Sequence, residues 1–186
     1  MSKNVSAAWA IFSVRVPARR DILLVFAACV VPVFAWALLS YLDAFPGFIL
    51  RMSIWDLLGS ISYVLAIALI ESIIFLIPIL LSAILLPPRF LKNHFVSIGS
   101  LVVLITAAWL MYANRERAYL GTWDTLHLVI VLVLYALSLA IPIALVIHSK
   151  RLEQIIQAAM ERVAVLAYIY VAFAFVGLII VVIRNV

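Results

Sequence analysis

The stretch LAIALIESIIFLIPILLSAIL, Leu65 to Leu85, decides the fold. It is apolar almost throughout and carries one ionisable side chain, Glu71. A helix needs about 20 mainly apolar residues to cross the hydrocarbon core of a bilayer, and this stretch has that length. It is therefore read as a transmembrane helix, and Glu71 becomes the question the rest of the chain has to answer.

The remaining composition agrees. Of 186 residues, 69% are hydrophobic and 11% are charged, against about 45–50% and about 25% in an average soluble domain. The mean hydropathy is +1.31, which places the chain in the membrane class. The net charge is +5 and the isoelectric point about 9.7. In a soluble protein such a balance suggests nucleic acid. Here the charges fall in short loops between apolar runs, so they point to orientation and to anionic lipid, with no nucleic-acid partner.

Five segments meet the length requirement: about 22–42, 57–86, 95–113, 125–148 and 163–183. The expected fold is all-α, a bundle of five transmembrane helices in a single membrane domain covering residues 1–186. Basic residues in short loops set orientation. One side collects Lys3, Arg15, Arg19, Arg20, Arg89, Lys92, Lys150, Arg151 and Arg162. The other collects Arg51, Arg115, Arg117 and Arg184. The first side is expected to be cytoplasmic, with the N-terminus there and the C-terminus outside, in a plasma (inner) membrane. Arg19, Arg20, Arg89, Lys92, Lys150 and Arg151 are then placed to meet anionic headgroups. The polar start of the chain, followed by a run of full membrane length, does not read as a cleavable signal peptide. This span count and orientation is similar to the membrane portion of lipoteichoic-acid-synthase-type phosphotransferases, a likeness of topology that transfers no site residue.

The connecting pieces have their own signatures. Pro87 and Pro88 end the second span, because neither offers an amide hydrogen. Gly121, Thr122 and Asp124 are suited to the turn and cap before the fourth. Residues 5–16 place Val5, Ala8, Trp9, Phe12 and Val16 on one helical face, as an interfacial helix does. Residues 150–161 place Leu152, Ile155, Ile156 and Ala159 on another. That second piece is either a juxtamembrane extension or a docking surface. The segment AFPGFILRMSIWD, Ala44 to Asp56, is apolar for a free loop and is expected to rest on the membrane or form a re-entrant turn.

Glu71 lies near the middle of its span, where a carboxylate costs about 2.5–3.5 kcal/mol on insertion scales. Ser60, Glu71 and Ser82 recur every eleven residues and so share a face at about 3.6 residues per turn. Pro78 lies on that face and deprives the Ile74 carbonyl of its donor. In the fourth span, His127 and Ser138 are eleven apart, Pro142 is close to their face, and Tyr135 can reach it. The third span offers Thr106. Glu71, Thr106, Tyr135 and Ser138 are expected to meet inside the bundle, with helix breaks at Pro78 and Pro142. No Lys or Arg lies at that depth in any span. Glu71 is then polar glue between helices, a proton or cation site, or the partner of a basic group on another subunit.

Catalytic signatures are weak. His94, His127 and His148 fall at span ends; the two on one helix are about 31 Å apart at about 1.5 Å per residue, too far for a shared metal. No serine sits in a G-x-S-x-G elbow, and no phosphate loop or H-E-x-x-H is present. The run Asn114 to Asp124 reads as a solvated loop containing Arg115, Glu116 and Arg117, with a phosphate-headgroup site as its sharper alternative. The single cysteine, Cys29, excludes an intramolecular disulfide and reads as a small apolar side chain. No cofactor and no metal are expected. The first functional reading is a non-enzymatic membrane subunit or scaffold that assembles with other membrane polypeptides or with itself. The second is a small proton- or cation-coupled transporter or channel using Glu71. The third is an enzyme acting on lipid-linked substrates.

Overall fold

The computed structural model describes residues 17–85, 94–116 and 124–186. These residues form five helices: α1 Arg19–Ile49, α2 Ile54–Leu85, α3 Phe95–Arg115, α4 Thr125–His148 and α5 Lys150–Asn185. No strand occurs among the described residues. All five helices are long and apolar enough to cross a membrane. The expected interfacial helix at 5–16, with Arg89, Lys92 and the Pro87–Pro88 stop, lies outside the described residues.

The bundle is built around α1, against which α2, α5 and α3 all pack. A helix that is apolar on every side belongs in an interior, and α1 shows this between Leu24 and Phe34. Leu24, Val25, Ala28 and Cys29 join Ile79 and Ala83 of α2, Phe95, Val96 and Val103 of α3, and Met160 of α5 in one cluster. Ala27, Val30 and Phe34 join Ala68 of α2 with Ala167 and Ala174 of α5 in a second. Phe34 stacks on Tyr170, with ring centroids 5.4 Å apart. Small side chains line the contacts, as in close-packed membrane helices. A Cβ on Gly177 of α5 would lie 3.1 Å from the Ser62 carbonyl oxygen of α2.

Polar links sit at the two ends of the bundle. At one end Arg20 pairs with Glu161 at 2.5 Å and His94 with Glu153 at 2.8 Å. At the other, Arg184 reaches Asp56 at 2.5 Å and the Trp55 carbonyl at 2.9 Å. Asn185 donates there to the Tyr63 hydroxyl. A Cβ on Gly59 would run into the Arg184 guanidinium, so this glycine makes room for it. These links tie α5 to α1 and α3 at one end and to α2 at the other.

The helix α4 is peripheral. It leans on α3 and more lightly on α5, and only 6% of its most apolar window is buried. Asp124 caps its start by accepting from the Thr125 amide at 2.8 Å. Ser149 alone separates it from α5.

Three local expectations meet the structure differently. Residues 150–161, expected as a juxtamembrane extension or a docking surface, are the first third of the 36-residue α5, because nothing between Ala159 and Val163 breaks a helix. The apolar Ala44–Asp56 segment, expected to rest on the membrane or form a re-entrant turn, is mostly helical. Its first half completes α1 and its last three residues open α2, leaving a turn of Leu50–Ser53. Pro78 and Pro142 do not break their helices: α2 and α4 run through them as single elements. In apolar surroundings a carbonyl has no water to turn to, so the helix forfeits one hydrogen bond and continues.

Candidate functional site

The middle of α2 positions Glu71. The side of α2 that meets the bundle carries Gly59, Ser62, Ala66, Ala68, Ser72, Ile79 and Ala83, all buried. All but Ile79 are small, which lets α1 and α5 approach, and the Ser62 and Ser72 hydroxyls turn back to their own helix, donating to the Leu58 and Ala68 carbonyls at 2.6 and 2.7 Å. Glu71 follows Ala68 by three residues and precedes Ser72, which puts it at the edge of this packed face. Its side chain is exposed and not interior.

That edge borders a lateral cleft. Near one end of the bundle α2 and α3 converge on Gly99, where a Cβ would lie 3.1 Å from Val25 and 3.4 Å from Ile79. Elsewhere these two helices barely touch. The gap between them is floored by Pro32, Val33 and Trp36 of α1. Glu71, Ile74 and Phe75 form one wall, and Ala107, Leu110, Met111 and Asn114 the other. This hollow has a volume of about 380 Å³. A second hollow of about 370 Å³ follows the α1–α2 seam toward the Arg184 end, between Ser40, Tyr41 and Phe48 on one side and Ser60, Val64 and Ile67 on the other. Trp36 and Glu71 line both. Glu71 therefore stands where the two hollows meet. Among the described residues no hydrogen bond or ion pair engages its carboxylate.

The sequence-derived polar set divides in two. Ser60 shares the seam hollow with Glu71. Ser82 donates to the Pro78 carbonyl at 2.6 Å and so stays with its own helix. Thr106, Tyr135 and Ser138 come together elsewhere, on the side of α3 that faces α4. The Thr106 and Tyr135 hydroxyls are 3.0 Å apart, and Ser138 donates to the Tyr135 carbonyl at 2.7 Å. The expected meeting of Glu71 with Thr106, Tyr135 and Ser138 inside the bundle is corrected. Ala107, next in sequence to Thr106, faces the cleft, while Thr106 faces α4, so α3 stands between the two polar groups.

Two residues that the sequence reading passed over belong to these sites. Trp109 donates its indole hydrogen to Ser138 at 3.0 Å and meets Tyr135 edge-on, at a centroid distance of 6.1 Å. It lies three residues beyond Thr106, a helical spacing that marks a shared face. Trp36 lies four residues beyond Pro32 on α1 and shares the cleft floor with it.

Of the basic residues proposed for headgroups, Arg19, Lys150 and Arg151 are exposed, and Arg20, though paired with Glu161, keeps a side chain 76% exposed. No cluster of three or more potential metal ligands occurs among the described residues. Chemically, the cleft offers one carboxylate, one indole face and one terminal amide, Asn114, in apolar walls. That set suits a cationic group approaching within the membrane plane. Compared with known proteins, the chain matches no family, no curated protein and no solved structure, so its own geometry carries the functional argument.

Proposed function

We propose that this protein is a membrane-embedded subunit that assembles with other transmembrane polypeptides. One observation carries the reading: Glu71 opens sideways, on a cleft between α2 and α3, and among the described residues no group of its own chain meets it. A carboxylate on an outward face at mid-span is costly when left to lipid, and assembly offsets that cost. In this reading the chain sits in a plasma membrane with Arg19, Arg20, Lys150 and Arg151 on the cytoplasmic side among anionic lipids. Native mass spectrometry of the complex, extracted gently from its own membrane, tests it. A second polypeptide at fixed stoichiometry is expected; the chain alone, or only with copies of itself, would remove the reading.

A second reading has a specific observation behind it. Ile74 lines the cleft beside Glu71, and Pro78 leaves the Ile74 carbonyl without its helical donor. A carboxylate and a free carbonyl one turn apart can hold a proton or a small cation. The purified chain in liposomes should then support flux that Glu71→Gln abolishes. Under the subunit reading the chain alone supports none.

A further inference from the structure

We infer that the cleft between α2 and α3 is the seat of a transmembrane helix from a different polypeptide, one that presents a Lys or Arg to Glu71 at mid-membrane depth. The inference rests on the subunit reading above and goes on to name the site and the chemistry of the partner.

The depth comes first. Glu71 is 17 residues from the start of α2 and 14 from its end, or about 25 Å and about 21 Å at about 1.5 Å per residue. The hydrocarbon core is about 30 Å thick, so headgroup amines are held about 15 Å away on either side. Acyl chains bring no donor. Lipid can fill the cleft, but it cannot pair the carboxylate.

Charge then selects the partner. All 13 Lys and Arg of this chain lie outside its apolar runs, and none falls within residues 52–88 or 118–149. A second copy therefore has no cation to offer at the depth of Glu71. Two copies facing each other would instead bring carboxylate to carboxylate. A foreign helix with one basic residue in its apolar run meets the requirement, and the same residue gains in reverse, since its own charge is costly in lipid. Trp36 also lines the cleft, and an indole beside the carboxylate favours a guanidinium or ammonium over a neutral donor.

Shape agrees. Two helices diverging from a common contact over a third make a trough, and α1, the hub of the bundle, is left uncovered along it. Ile74 and Leu110 on its walls are 58% and 55% exposed. A sixth helix laid in the trough covers them and completes the ring around α1.

The test uses the full chain in its own membrane. The photoreactive amino acid p-benzoylphenylalanine replaces Ile74, Leu110 or, as a control on the far side, Leu132 of α4, which is 70% exposed. After irradiation the adducts are digested and sequenced. Expected are adducts from positions 74 and 110 to one apolar segment of one other polypeptide, carrying a Lys or Arg within two turns of the attachment point. Leu132 should not mark it. Glu71→Gln should then lower recovery of that polypeptide at least tenfold. Glu71→Lys should abolish recovery, and changing the partner's basic residue to Glu should restore it. Adducts to lipid alone at 74 and 110, an attached segment without a basic residue, or undiminished recovery with Glu71→Gln would each overturn the inference. If native mass spectrometry still shows a second polypeptide in those cases, the subunit reading survives and only the cleft assignment falls. If it shows none, both fall.

Discussion

Substituting Gly177 by alanine asks how tightly α2 is held in the rotation that aims Glu71 at the cleft. An added Cβ would lie 3.1 Å from the Ser62 carbonyl oxygen and 3.4 Å from Ser62 Cα and Leu65 Cβ. The nearest obstacle is backbone, so no side chain can swing aside. Gly47 of α1 is the internal reference, because a Cβ there meets nothing within 4 Å. In a helix, alanine is favoured over glycine by about 0.5–1 kcal/mol. Gly47→Ala should keep the lower half of that gain, since the residue is near the end of α1. Gly177→Ala carries the same gain against an overpacking cost of about 1–3 kcal/mol, for a net loss of about 1 kcal/mol. The two variants should thus differ by roughly 2 kcal/mol, or roughly thirtyfold in folding equilibrium at about 1.4 kcal/mol per decade. Reversible unfolding in lipid bicelles, followed by tryptophan fluorescence, reads the difference. Equal stabilisation by both substitutions would show that α2 and α5 do not approach as described, and the aim of Glu71 would lose its support.

Three further expectations follow from the same contacts. Glu71→Leu should improve membrane insertion of the isolated α2 segment by up to about 2.5–3.5 kcal/mol and leave the folded chain no less stable, because the side chain is exposed and unpaired; a glycosylation-tag insertion assay and the bicelle assay check the two halves, and a clear loss of stability would return Glu71 to the interior. Thr106→Val and Tyr135→Phe should each cost about 0.6–2 kcal/mol, and the double variant little more than either, since both remove one hydrogen bond; additive costs would count against the Thr106–Tyr135 contact. Arg184→Ala should leave global stability nearly unchanged, its side chain being 42% exposed and that of Asp56 49%, but should speed amide exchange in the first turn of α2. Gly59→Ala should reproduce that local loosening, because its Cβ would occupy the place of the guanidinium.

Helix count and placement were legible because apolar runs of membrane length separated by charge leave few alternatives. Helix ends were less so. Residues 150–161 resemble a surface helix in pattern, yet a pattern of faces does not say whether a helix stops; only a breaker does, and none stands before Val163. At the site, the eleven-residue spacing puts Ser60 and Glu71 on one side of α2, and both line the seam hollow. The spacing does not say whether that side faces in or out. The buried side is fixed by small residues, Gly59, Ser62, Ala66 and Ser72, through which neighbours approach, and polarity alone misdirects a reader who expects every buried stripe to be polar. Thr106, Tyr135 and Ser138 share the depth of Glu71, which sequence shows, but not its azimuth around the bundle, which sequence does not.

The loose seating of α4 bears on how this chain changes over generations. A helix with neighbours on every side resists substitution, because each new side chain disturbs a packed contact. On α4 most positions between Leu126 and Ile147 are exposed and answer mainly to hydropathy, with Tyr135 and Ser138 as anchors to α3 and Val146 buried. Exchange among leucine, isoleucine and valine at its exposed positions leaves the rest of the bundle untouched. Sequence drift should therefore concentrate on α4, while the buried stretch of α1 between Leu24 and Phe34 stays nearly still.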